Sequence, residues 1–186
     1  TTVGDIPADR VVIAAGVPSV TLLRGLGVRV PLVAGTGYSI TATGTGTTPV
    51  HALKLVEANL ACTPFTGTVR LAGRFEPGTG RGHAPRRTLA AIRAHATRYL
   101  RDWRPDGPGE VIVGHRPATP DSLPLIGAVP GAPGVFAATG HGTLGLTLAP
   151  ATAEALVPCI LHNAHGPTAF DVGRFGRAVH PARLTP

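Results

Sequence analysis

The sequence of 186 residues has no methionine, one lysine and few aromatic side chains. Without methionine, Thr1 is not expected to be the residue at which translation starts, so we expect a segment before it. No apolar run approaches the ~18 consecutive residues of a membrane span, and no secretory signal opens the chain. We therefore expect a cytoplasmic protein with no membrane partner.

The scarcity of aromatic residues also argues against nucleic acid. Five Phe, two Tyr and one Trp give bases little to stack on. The formal charge of +7 is carried mostly by arginine, since only Lys54 among the 17 basic residues is a lysine. The arginines are scattered, apart from a loose cluster between Arg81 and Arg104 that is typical of a solvated helix face. We expect no nucleic-acid partner.

Cysteine and histidine are used sparingly. Cys62 and Cys159 lie far apart in apolar surroundings, which predicts two buried free thiols and no disulfide framework. The histidines show no paired metal spacing apart from His162 and His165, with Asp171 nearby. We predict no metal site.

Twenty-five glycines and 19 prolines separate apolar runs, which indicates a folded chain with many turns. "RVVIAAG" (10–16) is a continuous apolar run, so it predicts a strand buried on both faces, followed by a short helix capped by Ser19. "PFTG" predicts a hairpin turn, whereas "ATGTGTTP" is expected to be a loop.

The second half predicts helices and strands in alternation. Apolar residues repeat at three- and four-residue steps over 85–103, which predicts a helix. "EVIVG" (110–114) and "GVFAA" (134–138) predict strands, and the segment from Thr143 to His162 predicts a helix that Pro158 should kink or end. The resulting fold class is α+β, with a mixed, largely antiparallel sheet and a few helices.

The stretch "ATGHGTLGLTLAPATAEAL" (138–156) is a glycine-rich turn that runs into the last helix. Backbone N–H groups at a helix start, with the positive end of the helix dipole, favour negative charge. The turn therefore predicts a site for an electron-rich group. A plain strand–turn–helix junction is the alternative.

Together with "GHRPATPDSLPLIG" (114–127), this stretch closely resembles the C-terminal half of FAD-dependent amine and amino-acid oxidoreductases, the D-amino-acid oxidase and dehydrogenase type with glycine and sarcosine oxidase relatives. "ADRVVIAAG" resembles the last strand of that family's flavin domain, "PLVAGTGYSIT" and "TPFTGTVRLAGRFE" resemble its substrate-domain sheet, and "FDVGRFG" resembles its terminal tail. The resemblance covers nearly the whole chain.

The resemblance implies a single truncated domain over residues 1–186. Residues 28–115 are then the substrate-type sheet and helix, and residues 1–27 and 116–186 belong to the flavin-domain side. The N-terminal half that binds the dinucleotide is absent. The family holds that part of FAD with G-x-G-x-x-G, and the clusters "GTGYSI", "GTGTTP" and "GTGRGH" lack the third glycine.

The resemblance also implies site residues. Arg116 becomes the clamp for a substrate carboxylate, Tyr38 a second polar contact and His141 a group that polarises a carbonyl or takes a proton. The alternative for Arg116 is a structural ion pair with Asp121. The alternative for Tyr38 is a core residue, and that for His141 is a histidine that only shapes the turn. Cofactor contacts are implied at Gly16, Gly140, Gly142, Thr143, Leu144 and Gly145.

Val17 and Pro18 stand where the family usually places a small residue and tryptophan, so contacts beside the flavin ring are in doubt.

We predict an oxidoreductase acting on a small, carboxylate-bearing α-amino or α-keto acid. FAD is expected only if a missing segment or an N-terminal flavin-binding partner supplies the other half. A cofactor-independent oxygenase on an activated keto acid and a non-catalytic binding remnant are the alternatives. Apolar faces left uncovered by the missing half predict a homo-oligomer or a partner.

Overall fold

The computed structural model describes residues 4–78, 82–162 and 170–175. Contacts divide the chain into two compact units. The first unit comprises the described parts of Thr1–Ala34 and Arg116–Pro186, and the second comprises those of Gly35–His115. The segment boundaries predicted from the sequence lie between residues 27 and 28 and between residues 115 and 116.

The described residues form mostly antiparallel sheets with three helices, which confirms the α+β class. The strands are β1 (Val11–Ile13), β2 (Val33–Ala42), β3 (Gly44–Gly46), β4 (Leu53–Leu55), β5 (Leu60–Phe65), β6 (Thr68–Pro77), β7 (Trp103–Pro105), β8 (Glu110–Ala118), β9 (Leu125–Ala128) and β10 (Val135–Thr139). The helices are α1 (Ser19–Gly25), α2 (Arg86–Tyr99) and α3 (Gly145–His162).

The first unit is built on the three-stranded sheet β1-β10-β9. β1 runs parallel to β10, and β9 pairs antiparallel with its other edge. Phe136 and Ile126 pack against Leu156 of α3 on one face of this sheet. Ala137 and Leu125 pack in the cluster that contains α1 on the other face. Alternate residues of β9 and β10 therefore serve two cores, as the two-residue period of a strand requires.

The second unit contains the five-stranded sheet β4-β5-β6-β2-β8 and the pair β3-β7. Helix α2 packs on this sheet, and its Ile92 and Ala96 join the core with Leu60 and Leu71. The predicted hairpin is confirmed. β5 and β6 are closed by the pair Phe65↔Thr68, so the turn consists of residues 66–67, with φ +73° at the glycine.

Strand β1 was predicted to be buried on both faces, and this prediction is wrong. Val11 and Val12 are 47% and 42% exposed, and only Ile13 is buried. Val11 and Val12 point to opposite faces of the strand, so both faces of β1, which is the edge strand of its sheet, are partly open at these residues.

The predicted cap of α1 was also wrong, and of the two outcomes predicted at Pro158, a kink or an end of α3, the end was wrong. Pro18 is the N-cap of α1, whereas Ser19 lies inside the helix with a buried hydroxyl that has no hydrogen-bond partner. Helix α3 does not end at Pro158 but continues to His162. Glu154, whose carbonyl would otherwise accept from residue 158, is exposed, so water can serve that carbonyl.

The segment expected to be a loop contains strand β3, which pairs with β7. Gly44 lies against the Trp103 ring, and a Cβ at this glycine would come within 2.2 Å of ring atoms. A close backbone approach, which glycine permits, therefore produces a strand where turn-forming composition predicts none.

Helix α3 also has the length and apolar composition of a membrane-spanning helix. This is weak evidence, since core helices of soluble proteins meet the same criteria. The absence of a membrane partner stays a prediction.

The described cysteines are both free and buried, as predicted. Burial raises the pKa of the Cys62 thiol, because desolvation disfavours the thiolate. Of the histidine pair considered for a metal, His165 lies outside the described residues.

Candidate functional site

The glycine-rich turn connects the end of β10 at Thr139 to the start of α3 at Gly145. Gly142 N–H donates to the Pro117 carbonyl over 2.8 Å, and His141 forms an antiparallel bridge with Ala118. These contacts fix the turn against the end of β8.

Two glycines give the turn its path, and their surroundings differ. Gly140 has φ +82°, and a Cβ there would lie 3.0 Å from Thr119 Cγ2. Gly142 has φ +55°, and an added Cβ would meet nothing within 4 Å. Gly140 therefore permits close packing, whereas Gly142 faces open space.

Amide groups are available where α3 begins. Leu148 N–H donates to Leu144 O over 2.8 Å, the first i→i−4 bond at this end of the helix. Within the described residues, the N–H groups of Gly145, Leu146 and Thr147 have no backbone acceptor. They are the donors that any helix start leaves for water or for a ligand. Thr143, one of the implied cofactor contacts, makes no side-chain hydrogen bond within the described residues.

His141 lies in the same turn. Its Nε2 is 2.9 Å from Thr152 Oγ1 of α3. Burial lowers the pKa of His141, because desolvation disfavours the charged imidazolium. The imidazole is therefore neutral at neutral pH, a state in which it can accept a proton.

Gly16 lies beside the end of β10. Thr139 Oγ1 donates to Gly16 O over 3.1 Å, across a sequence separation of 123 residues. Gly16 has φ +66°, and an added Cβ would meet nothing within 4 Å. The turn after β1 and the turn after β10 are thus held together by a side chain of the first unit.

Arg116 lies on β8, directly before the proline whose carbonyl anchors Gly142. Its side chain is half-buried and, within the described residues, makes no hydrogen bond or ion pair. Asp121, the alternative partner considered for it, is bound by Arg174 instead. The structure therefore brings the Arg116 backbone next to the glycine turn.

Tyr38 lies in the second unit and is 2% exposed, in the core cluster that also contains Ile92 and Ala96 of α2. Its hydroxyl donates to Glu76 Oε2 over 2.9 Å. The structure matches the alternative interpretation, a core tyrosine with a hydrogen-bonded tip. A direct contact with substrate has no support from this position.

Sequence reasoning missed Arg174, which fixes the loop after β8. Its Nε and Nη2 donate to the two Asp121 carboxylate oxygens over 2.8 and 3.0 Å. Nη2 and Nη1 also donate to the carbonyls of Leu123 and Pro124 over 2.7 and 3.0 Å. The guanidinium holds the pKa of Asp121 well below its usual range. The quoted tail "FDVGRFG" contains this arginine, but nothing local identifies its partner.

The glycine turn has the G-x-G-x-x-G spacing that the other glycine clusters lack. Gly140, Gly142 and Gly145 have the spacing G-x-G-x-x-G, and the turn joins a strand to a helix. The expectation that no glycine cluster of this chain has that spacing is therefore wrong. An acidic residue about 20 positions further on, which would bind a ribose, is absent, because none occurs between Glu154 and Asp171.

The family described as DAO, FAD dependent oxidoreductase, matches residues 1–158. The chain belongs to this family.

Curated DAO relatives include D-amino acid dehydrogenases. The enzyme from Vibrio cholerae is 34% identical over 168 residues, which cover 87% of this chain and 39% of that protein. The enzyme from Xylella fastidiosa is 37% identical over 160 residues, which cover 82% and 35%. The chain thus spans less than two fifths of these relatives' length.

The same fold occurs within larger solved structures. Glycine oxidase from Geobacillus kaustophilus matches with a TM-score of 0.74 and 25% identity, over 96% of this chain and 48% of that one. L-amino acid deaminase from Proteus myxofaciens matches with a TM-score of 0.72 and 17% identity, over 90% and 50%. The second likeness concerns the fold alone.

The described residues of this DAO chain fit one end of the flavin. The open space at Gly142 and Gly16 and the amide donors at the start of α3 suit the ring, whose pyrimidine part becomes electron-rich on reduction. The sequence offers no acidic residue at the ribose spacing. The fit is therefore to the ring, not to the whole dinucleotide.

Proposed function

We propose that this chain forms the ring side of the flavin site, together with the carboxylate-binding residue, of an FAD-dependent oxidoreductase. Its substrate is a small α-amino or α-keto acid. A segment outside this sequence binds the rest of the dinucleotide. The observation that supports the proposal is the contact between Gly142 N–H and the Pro117 carbonyl, which brings the amide-lined turn beside Arg116.

Bound flavin supplies the chemistry of accepting two electrons from the substrate. This chain's part is to hold the ring. The amides of Gly145, Leu146 and Thr147 stabilise negative charge, and Gly16 and Gly142 leave room for a planar ring. One helix start cannot replace the pyrophosphate and ribose contacts of a large cofactor, for which affinity falls to about 0.3 kcal/mol per atom. We expect the isolated chain not to retain FAD.

Arg116 is proposed to bind the substrate carboxylate. A guanidinium presents two parallel donors that match a carboxylate, and Arg116 has no competing acceptor within the described residues. His141 is proposed to accept a proton, because its lowered pKa keeps it neutral at neutral pH. Thr152 holds its ring in place.

Exposed apolar surface supports a covering segment. Leu146 and Leu161 of α3 are 93% and 68% exposed, and the outer residues of β1 are nearly half exposed. Soluble proteins rarely leave such surfaces uncovered. We propose that the segment carrying the dinucleotide contacts covers them, and that the isolated chain self-associates. Light scattering of the isolated chain over a concentration series tests this, and a monodisperse monomer at high concentration would count against it.

A chimeric enzyme tests the function. The matched segment of the Vibrio cholerae D-amino acid dehydrogenase is replaced by the corresponding residues of this chain. We expect a visible flavin band that an amino acid bleaches without oxygen. Arg116→Gln should keep the band but raise KM about 10- to 100-fold, from the strength of charged hydrogen bonds. Arg86→Gln, an exposed arginine on α2, is the matched control.

The isolated chain distinguishes the alternatives. Stoichiometric FAD in the isolated protein would overturn the need for a further segment. Oxygen consumption with aromatic keto acids, without flavin, would support a cofactor-independent oxygenase. A chimera that folds but neither binds flavin nor turns over, with ligand binding in the isolated chain, would leave the non-catalytic interpretation.

A further inference from the structure

The loop between β8 and β9, residues 119–124, contacts both the glycine turn and the tail of the described chain, residues 170–175. Arg174 binds the loop from the tail. Both ends of the loop lie against Gly140, where the turn begins. A contact made in the tail can therefore influence the path of the turn.

Arg174 uses its whole guanidinium in this contact. Its Nε and Nη2 donate to the two carboxylate oxygens of Asp121, and its other N–H groups donate to backbone carbonyls. Those carbonyls belong to Leu123, Pro124 and Asp171. An arginine has five N–H donors, and these hydrogen bonds engage all five. Because no donor is left for a substrate or a cofactor, any effect of Arg174 on a bound ligand acts through the loop.

The loop has a conformation that its own residues do not favour. Ser122 has φ +60°, in the left-handed region that non-glycine residues rarely adopt. Such a conformation persists where surrounding contacts fix it. Inside the loop, Thr119 Oγ1 donates to the Leu123 carbonyl over 2.8 Å, and the Leu123 N–H donates to Asp121 over 3.1 Å. Arg174 binds the same carbonyl and the same carboxylate, so it supports both contacts.

One residue of the loop connects Arg174 directly to the glycine turn. The carbonyl of Pro124 accepts from Arg174 Nη1 over 3.0 Å, and a Cβ added at Gly140 would lie 3.6 Å from the Cα of Pro124. At the other end of the loop, Thr119 Cγ2 would lie 3.0 Å from the same Cβ. Gly140 thus packs against both ends of the loop. A displacement of the loop therefore displaces the start of the turn.

We propose that Arg174 is a positioning residue for the flavin ring, an inference that rests on the proposed function. By holding the loop against Gly140, it sets the path of the turn and the direction of the N–H groups at the start of α3. Binding groups must be held within about 0.5 Å of their working geometry. Without the guanidinium the loop relaxes, and these N–H groups stabilise the reduced, electron-rich ring less.

Amide NMR of the isolated chain measures the coupling without a cofactor. Arg174→Lys keeps the charge but replaces the planar fork by a single donor group, and Asp121→Asn keeps the shape of the partner but removes its charge. We expect both variants to shift the amide resonances of Gly140 and Gly142. Arg29→Gln, at an exposed arginine of the same unit, is the matched control and should leave these resonances unchanged.

The reduction potential of the bound flavin measures the consequence. For this test the chimeric enzyme carries residues 1–175 of the chain, so that it includes Arg174. At the potential of a reference dye, we expect Arg174→Lys to lower the ratio of reduced to oxidised flavin about tenfold, which is ~30 mV for a two-electron couple. Val28→Ala, which truncates a buried core residue of the same unit, is the control for general destabilisation. It should lower the melting temperature without changing this ratio.

Two sets of results would overturn the positioning role. Unchanged Gly140 and Gly142 amides in both loop-contact variants would show that the tail does not act on the turn. An unchanged flavin ratio in Arg174→Lys, or an equal change in Val28→Ala, would show that the guanidinium only stabilises the fold. Asp121→Asn supplies the same ratio if the Arg174→Lys chimera retains no flavin. A chimera with the native residues that binds no flavin would instead overturn the proposed function, and this role with it.

Discussion

Alanine substitutions at Gly140 and Gly142 separate two demands on the turn, its backbone conformation and its packing. Both glycines have positive φ, where an alanine costs about 1–2 kcal/mol. Gly142→Ala adds no contact within 4 Å, so we expect that cost and no more. Gly140→Ala also places its Cβ 3.0 Å from Thr119 Cγ2 and 3.5 Å from Leu125 N. Overpacking of this kind adds about 1–3 kcal/mol.

Urea unfolding of the isolated chain measures the difference. With a slope of about 2 kcal/mol per molar, Gly142→Ala should lower the midpoint by about 0.5–1 M and Gly140→Ala by about 1–2.5 M. Gly114→Ala is the control, because no atom lies within 4 Å of its Cβ and its φ is not positive. Equal shifts for the two turn variants would refute the reasoning from packing.

The chimeric enzyme then tests what the open space at Gly142 is for. Its alanine methyl group would point into the space assigned to the flavin ring. We expect the Gly142→Ala chimera to fold but to lose the flavin band. A normal flavin content would show that the ring lies elsewhere.

Three further variants test single groups. Because the pKa of His141 is lowered in the folded chain, the unfolded chain binds the proton at higher pH, so the stability should fall as pH drops below about 6.5. In His141→Gln, the urea midpoint should no longer show this decrease with pH. The depressed pKa of Asp121 means that its contribution is present above its ordinary pKa and lost as pH falls well below it. Circular dichroism against pH should therefore show Arg174→Ala destabilised at neutral pH, with less further loss in acid. Thr88→Val removes an unsatisfied buried hydroxyl, so thermal melting of the ligand-free chain should show a gain of about 1 kcal/mol, and a loss would show that the hydroxyl has a partner.

Local patterns predicted the elements that local interactions determine. The hairpin between β5 and β6 follows from alternating apolar residues around a two-residue turn with glycine. Helix α2 follows from apolar residues at three- and four-residue steps. Strands β3 and β7 could not be predicted, because their pairing depends on Gly44 meeting the Trp103 ring across more than fifty residues.

The candidate site was predictable to a similar extent. The glycine turn and its helix start are contiguous in sequence, so their chemistry was visible there. The partners of Arg174 lie up to 53 residues away, and no local pattern links them. The burial of Tyr38 likewise depends on a core shared with Ile92 and Ala96 of α2, which lie more than fifty residues away. Side-chain orientation on a strand needs the tertiary contacts that sequence alone does not provide.

The chain enters the second unit and leaves it at neighbouring positions. Thr36 and His115, close to its two ends, are joined by a 3.2 Å contact between Oγ1 and Nδ1. An insertion whose ends meet imposes little loop-closure cost on the polypeptide that hosts it. We therefore expect that residues 35–115 can be replaced by another segment of similar end-to-end spacing, while β1 and β10 keep their parallel register.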